Sequence, residues 1–370
     1  MWGSGGQLRA EKILARRDPS IPLGTTSETV TRDVFARCEK LGFDCFGATP
    51  AIDSAQHEHL QAWLDAGMHD ELAYMQTPEA VLHRKQPWRL LAGSNSFLMV
   101  GVAYVHRDSE ADAKDAAGDL AFDPKAKALG NVPFQGRVAR YARVRDYHDL
   151  IKRRLHALAN QLRIDYPGSE YRSFVDTAPV NERELAAAAG LGWQAKNAML
   201  IHPKLGSYLV LGGFATTLSL VPSVERDAPV MDHCGSCTRC IDACPTKAIV
   251  SERVVDARLC ISNLTIERRT PIKPELQKLM GDWIAGCDIC QQVCPHNSPR
   301  ANMALGSSDA AAGLPRAEAN KPGGYDVREV VQWTEEQRRA AFATSALKRI
   351  SLEMLKRNAE IAKGNWEGES

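Results

Sequence analysis

The sequence predicts an α+β chain in which a mixed helix-and-strand domain precedes a compact cysteine-rich segment and a helical tail. Three observations carry this prediction. Over residues 27–225, strand-like and helix-like stretches alternate with long connections, as in domains that cover a sheet with helices. Eight of the ten cysteines fall between Cys234 and Cys294, so that stretch is held by thiol chemistry rather than by a large core. From residue 334 onward the spacing is helical and rich in Lys and Arg. The expected boundaries are an extension over 1–26, a first domain over 27–225, a cysteine domain over 226–305, and a linker with basic helices over 306–370.

The elements follow in order. Residues 1–26 are rich in Gly, Ser, Arg and Pro and read as a mobile extension. Over 28–41, Val30, Val34, Phe35, Cys38 and Leu41 recur at helical spacing, with Thr26 or Ser27 as the cap and Gly42 as the stop. Cys38 lies on that apolar face and Cys45 in the strand after it, both as small core residues. The run 97–104 is apolar throughout, which suits a strand covered on both faces. A polar, Ala- and Asp-rich loop is expected over 107–131. An amphipathic helix over 146–162, a strand over 171–175 and a helix over 180–189 ending at Gly190 come next. The uncharged stretch 205–224 carries Gly206, Gly212, Gly213 and Pro222, and so predicts a buried strand and turn rather than a bilayer span.

The cysteines carry the chemistry. The first run is Cys234-x-x-Cys237-x-x-Cys240-x-x-x-Cys244-Pro245, and the second is Cys260 followed by Cys287-x-x-Cys290-x-x-x-Cys294-Pro295. Two-residue gaps let one tight loop place three sulfurs on three corners of a [4Fe-4S] cubane, but the fourth cysteine cannot reach the same cluster. In ferredoxin-like two-cluster segments the cysteine before proline ligates the other centre. One cluster then takes Cys234, Cys237, Cys240 and Cys294, and the other takes Cys244, Cys260, Cys287 and Cys290. Paired structural zinc sites are the plain alternative, yet they separate two pairs by a long loop and need no third cysteine. A disulfide framework fits small secreted chains, not this one.

Composition frames the rest. Hydrophobic residues at 44% and charged residues at 25% describe an ordinary globular chain, and a net charge of +1 gives no global pull toward nucleic acid. A local basic patch remains at Lys348, Arg349, Lys356 and Arg357, which reads first as a solvated helix face. No apolar stretch follows a charged start, so no export signal and a cytoplasmic location are expected. A domain of this size ahead of the cysteines exceeds what an electron carrier needs. It contains no Gly-x-Gly-x-x-Gly after a strand, so the acceptor of the clusters' electrons is a cofactor without a short signature.

Several strings outside the cysteines resemble the epoxyqueuosine reductases. They are Ala139-Arg140-Tyr141 with Arg145-Asp146-Tyr147-His148, Phe174-Val175-Asp176-Thr177-Ala178-Pro179, Glu182-Arg183, Ala189-Gly190-Leu191-Gly192-Trp193, Lys196-Asn197, Cys260-Ile261-Ser262, Leu264-Thr265-Ile266-Glu267, Gly286-Cys287-Asp288 and 345–350. The resemblance implies a cobalamin-binding α/β sandwich domain related to that of reductive dehalogenases, followed by the two-cluster domain. It also implies removal of the epoxide oxygen from epoxyqueuosine at the tRNA wobble position, the last step of queuosine biosynthesis, by cob(I)alamin fed from the clusters. The partners would be that tRNA and a low-potential electron donor of unspecified kind, with no membrane. Val144, Arg143, Asn181, Ala195, Gly213 and Asn263 depart from the family pattern around the cobalamin pocket.

The resemblance makes Asp176 the proton donor. The residue alone reads first as the cap of the helix around Pro179. As a general acid it requires a site that raises its pKa, by desolvation and away from basic partners. Arg84 and Lys196 are the candidate basic contacts to cobalamin, and Ser262 and Asp288, set among the cluster ligands, are candidates for the corrin's edge. A dehalogenase-like reductase and a ferredoxin-type electron carrier are the other classes of function.

Overall fold

The computed structural model describes residues 26–104, 134–225, 232–297 and 322–368. The 1–26 extension (save Thr26), the 107–131 loop and most of the linker therefore lie outside the described residues. Helix α1 (Ser27–Lys40) starts where Thr26 Oγ1 accepts the Thr29 N–H, and buries Val30, Val34 and Cys38. Strand β1 (Cys45–Pro50) is followed by helices α2 (His57–Asp65) and α3 (Pro78–Lys85), and then by β2 (Ser96–Ala103). The chain continues with β3 (Gln135–Val138), α4 (Tyr147–Asp165), β4 (Tyr171–Phe174), α5 (Glu182–Ala188), the short β5 (Trp193–Gln194) and β6 (Leu200–Ile201), and β7 (Leu209–Thr216).

Four of these strands form an antiparallel sheet in the order β1-β2-β7-β4. All eight residues of β2 are buried, as its unbroken apolar run predicts. Its side chains divide by alternation. Leu98, Val100 and Val102 join Val34, Ile151, Leu155 and Phe214 under α1 and α4. Phe97, Met99 and Ala103 join Leu185, Ala186 and Ala215 under α5. Gly213 explains one departure from the family pattern, because a Cβ there would stand 2.3 Å from the Leu98 carbonyl oxygen across the β2–β7 pairing.

The cysteine segment holds α6 (Arg239–Ala243), β8 (Ile249–Ser251), β9 (Val254–Val255), α7 (Ile261–Ile266), α8 (Pro274–Leu279), β10 (Trp283–Ala285) and α9 (Ile289–Gln292). After it come β11 (Gly324–Asp326), α10 (Val327–Val330), α11 (Glu335–Phe342), a single 3₁₀ turn (Ala346–Arg349) and α12 (Leu352–Gly368). A second sheet, in the order β10-β3-β11, takes one strand from each of the three segments of the chain. Val138, Ile284, Val327, Phe342, Leu355 and Ala359 share its core.

The tail divides into helices, and residues 334–358 hold two of them separated by the 3₁₀ turn. Side-chain hydrogen bonding explains the break, because Ser345 Oγ donates to the Ala142 carbonyl at 2.7 Å and accepts the Leu347 N–H. The Thr344 carbonyl, released from helical bonding, accepts the Asp146 N–H at 2.7 Å. Asn358, fully buried, donates to the carbonyls of Thr265 and Ile284 and ties α12 to α7 and β10.

Candidate active site and cluster-binding thiols

All ten cysteines are free thiols. Cys38 and Cys45 sit in the core, where burial pushes each thiol up to about 12 and makes it inert. The other eight fall into two neighbourhoods. Burial pushes the Cys294 thiol up to about 11, and the thiols nearest it in charge are Cys234, Cys240 and Cys237. Cys260 is raised by burial with Cys244 as its neighbour, and Cys287 by burial with Cys290 and Cys260 as its neighbours. Cys290 also feels Cys260, Cys240 and Cys244, so the Cys240–Cys290 approach is where the two sets meet. Each neighbourhood thus offers four soft sulfur donors, a set suited to iron-sulfur chemistry. Among the described residues no three His, Cys, Asp or Glu side chains converge tightly enough to hold one metal ion. The Ala248 N–H donates to Cys244 Sγ at 3.3 Å, an amide directed at a candidate ligand sulfur.

Asp176 lies two residues past β4 in left-handed backbone, φ 57°, with its side chain 47% exposed. It is not a helix cap: α5 starts at Glu182 with Asn181 before it, and the Asp176 carboxylate bonds no backbone of that helix. Instead Asp176 Oδ2 lies 3.2 Å from His148 Nε2, while its own N–H donates to Glu182 Oε1 at 2.6 Å. The expected upward pKa shift is also reversed. The hydrogen bond from His148 holds the Asp176 carboxyl below its ordinary value and outweighs desolvation. Desolvation lowers His148, but its bonds to Asp176 and Asp146 prevail and raise the imidazole. Burial and the Asp176 charge push Glu182 up to about 7.

Behind His148 the contacts continue. Its Nδ1 is 2.7 Å from Asp146 Oδ1, and the other oxygen of Asp146 is 2.7 Å from Lys348 Nζ. Asp146 is also the N-cap of α4, accepting the His148 N–H. The Tyr147 ring stacks on the imidazole with centroids 4.1 Å apart. His148 and Asp146 carried no assigned role in the sequence, although both stand in the Arg145-Asp146-Tyr147-His148 string; 28 residues separate His148 from Asp176.

The remaining candidates divide. Arg84 is 6% exposed, and its guanidinium donates to the Ala80 carbonyl with no carboxylate on it among the described residues. A buried cation without an anion is costly, so this position suits an anionic or amide-rich ligand. Lys196 is already engaged: its ammonium bonds Glu252 and the Gly235 carbonyl, both at 2.7 Å, which ties it to the Cys234 loop. Ser262 is half-buried in α7, and its carbonyl accepts from Thr265 Oγ1. Asp288, 1% exposed, accepts the Arg140 N–H at 2.7 Å and so fixes the 140–146 turn to the Cys287–Cys290 loop. Asn263, another departure, bonds Asp70 and the Ala257 carbonyl and acts within the packing. Of the basic patch, Arg357 spends its guanidinium on the carbonyls of Leu264, Arg268 and Thr270 and on Asn358, which removes it from phosphate binding. Lys348 and Arg349 remain about half exposed, at 56% and 49%, and Arg349 pairs with Glu267.

Two family models match the chain: the 4Fe-4S double cluster binding domain over residues 233–297, and the epoxyqueuosine reductase QueG domain over residues 84–177. The second lies upstream of all eight clustered cysteines, so a bare electron carrier does not account for the chain. The epoxyqueuosine reductase of Burkholderia pseudomallei is 36% identical over 88% of this chain and 79% of its own length. That of Escherichia coli is 36% identical over 89% and 79%. A crystal structure of an epoxyqueuosine reductase with an epoxyqueuosine-modified tyrosine tRNA stem loop matches with a TM-score of 0.75 at 25% identity, covering 92% of this chain and 83% of that one. No described helix is long and apolar enough to cross a membrane. With a double-cluster segment placed behind a mixed α/β region and relatives matched over most of both lengths, the chain belongs to the epoxyqueuosine reductase family of oxidoreductases.

Proposed function

We propose that the chain reduces epoxyqueuosine to queuosine at the wobble position of tRNA in the cytoplasm, using two [4Fe-4S] clusters and cobalamin. In this reading residues 27–225 form the cobalamin-binding catalytic domain, 226–305 the two-cluster domain, and 306–370 the linker and basic helices, which the β10-β3-β11 sheet ties to the other two. The observation that carries the reading is the gathering of eight free thiols into two sets of four in a chain that also presents a carboxylate–imidazole pair. One cluster takes Cys234, Cys237, Cys240 and Cys294, the other Cys244, Cys260, Cys287 and Cys290, in agreement with the thiol neighbourhoods.

Cobalamin supplies two-electron reducing power at one reactive atom, and this chain supplies orientation and protons. Arg84 would meet the cofactor's phosphate or amides, since its guanidinium meets no carboxylate among the described residues. Asp288 and Ser262, set in the Cys287–Cys290 loop and in α7, would meet the corrin's edge. Lys196 acts through the Cys234 loop that it holds. Asp176 is the acid presented to the substrate: its carboxylate is half exposed, and His148 is the one side chain bonded to it among the described residues. The tRNA would approach over Lys348 and Arg349, which stay about half exposed beside the site while paired with Asp146 and Glu267.

The test is anaerobic reconstitution with cobalamin, followed by incubation with epoxyqueuosine-containing tRNA and a low-potential reductant. About eight irons per chain, a corrin spectrum and conversion to queuosine are expected. Conversion without bound corrin, or none in a fully loaded protein, would overturn the reading.

A further inference from the structure

Removing an epoxide oxygen as water consumes two electrons and two protons. The clusters and their external low-potential donor account for the electrons. The protons both go to one oxygen, and a single carboxyl carries one at a time, so it must be reloaded within each turnover. The Asp176 environment makes reloading the central problem, because its carboxylate is bonded to an imidazole rather than held neutral in an apolar pocket.

We propose that His148 is the proton store of the site: its Nε2–H, 3.2 Å from Asp176 Oδ2, reloads Asp176 for each of the two protonations, and Asp146 fixes the imidazole for that task. The inference rests on the reading of Asp176 as the acid. Each step moves one proton from His148 Nε2 to Asp176 Oδ2 and from Asp176 to the departing oxygen. The carboxylate is regenerated, and the neutral imidazole keeps its Nδ1–H on Asp146. Solvent then returns a proton to Nε2, which is possible because the His148 side chain is 18% exposed. Two such cycles supply both protons, and no group in the chain changes its charge over a turnover.

The geometry is that of an aimed ring, not of an incidental surface pair. Asp146 Oδ1 holds Nδ1 at 2.7 Å and so leaves Nε2 as the exchanging nitrogen. Asp146 is itself held from three sides: its N–H donates to the Thr344 carbonyl, its Oδ2 pairs with Lys348, and its side chain caps α4. The Tyr147 ring covers one imidazole face. The charged groups around His148 are Asp146 and Asp176 in contact, Glu182 beyond the Asp176 backbone, Arg183 and Arg349 near Asp176, and Lys348 beyond Asp146. The two carboxylates in direct contact favour the protonated ring.

The experiment uses the cluster-loaded protein in two measurements. First, ¹⁵N-histidine NMR with oxidised clusters follows the His148 nitrogens against pH in the native chain and in Asp176→Asn. We expect Nδ1 to stay protonated throughout and Nε2 to titrate above the ordinary imidazole value, with a lower midpoint in the variant. A midpoint unmoved by Asp176→Asn would overturn the proposal. Second, turnover is measured in His148→Gln, which keeps a donor toward Asp176 but carries no exchangeable charge, and in His148→Ala with and without added imidazole. We expect kcat to fall about a hundredfold or more in both with KM for tRNA unchanged, and imidazole to restore kcat in the alanine variant. Full turnover in His148→Gln alongside an inactive Asp176→Asn sinks the proton store and leaves the acid standing. Full turnover in Asp176→Asn sinks the acid itself.

Discussion

Asp176→Asn separates the chemistry of this residue from its place in the fold, and the backbone explains why. At φ 57° Asp176 occupies the left-handed region, where asparagine is well tolerated and most other residues are strained by about 1–2 kcal/mol. The side chain is 47% exposed and, among the described residues, bonds His148 alone, so asparagine leaves no buried group there without a partner. The variant is therefore expected to keep the fold, both clusters and bound cobalamin, and to melt below the native chain only by the loss of its ionic contact with His148. Asp176→Ala should lose about 1–2 kcal/mol from the turn alone. The amide cannot donate a proton as an acid, and removing a general acid typically costs about a hundred- to ten-thousand-fold, or about 2.7–5.5 kcal/mol of barrier. The assay is single-turnover conversion of epoxyqueuosine-containing tRNA with chemically reduced cofactor, read by nucleoside analysis beside iron and corrin content. Turnover within a few-fold of native in Asp176→Asn would refute the reasoning, and so would a loss of iron that accounts for the lost activity.

Three other outcomes are expected. Cys244→Ala should leave about four irons on the Cys234 set and strip the set that includes Cys260, read by iron content and electron paramagnetic resonance; loss of the Cys234 centre alone would show the crossing to be wrong. Lys348→Glu with Arg349→Glu should weaken tRNA binding and flatten its salt dependence, whereas Arg357→Ala should lower the melting temperature with the salt slope unchanged, because that guanidinium serves three backbone carbonyls. The His148–Asp176 contact should also appear in stability against pH. The raised imidazole contributes fully below its ordinary value of about 6.5 and loses the contribution as pH rises through the folded value, while the lowered carboxyl contributes above about 3.9 and loses it as pH falls through its own. The melting difference between native and Asp176→Asn chains is then largest between those limits, and a flat difference from pH 4 to 9, to within about 1 °C, would show that no ionic pairing exists.

What could be read in advance follows the range of the forces involved. The apolar run 97–104 announced a strand covered on both faces because alternation and burial are local properties, and the cysteine spacing announced its clusters because ligand geometry is local too. The proton chemistry was hidden by distance. A general acid at Asp176 calls for a raised pKa, and the direction is reversed because the imidazole that sets it comes from the start of α4, across β4 and its following turn. Asp146 meets Lys348 from still farther along the chain, and the same distance concealed the sheet that joins β3, β10 and β11. The broken tail shows why these losses go together. A single helix over 334–358 would bond its backbone continuously, and the Thr344 carbonyl would be spent inside it. The Ser345 hydroxyl bonds Ala142 instead, and the chain leaves the helix at that point. The Thr344 carbonyl is thereby free to hold the Asp146 N–H, and the turn after it carries Lys348 onto the Asp146 carboxylate. A continuous helix would satisfy the local pattern and forfeit both contacts. The interruption that defeats the periodicity is thus the feature that connects the basic tail to the proton site, and Ser345→Ala tests it directly: the Ala142 carbonyl loses its donor, at a cost of about 1–3 kcal/mol, and the Lys348–Asp146 pair should loosen with it. A variant that melts as the native chain does and keeps its His148 titration unchanged would show that the break plays no part in holding the site.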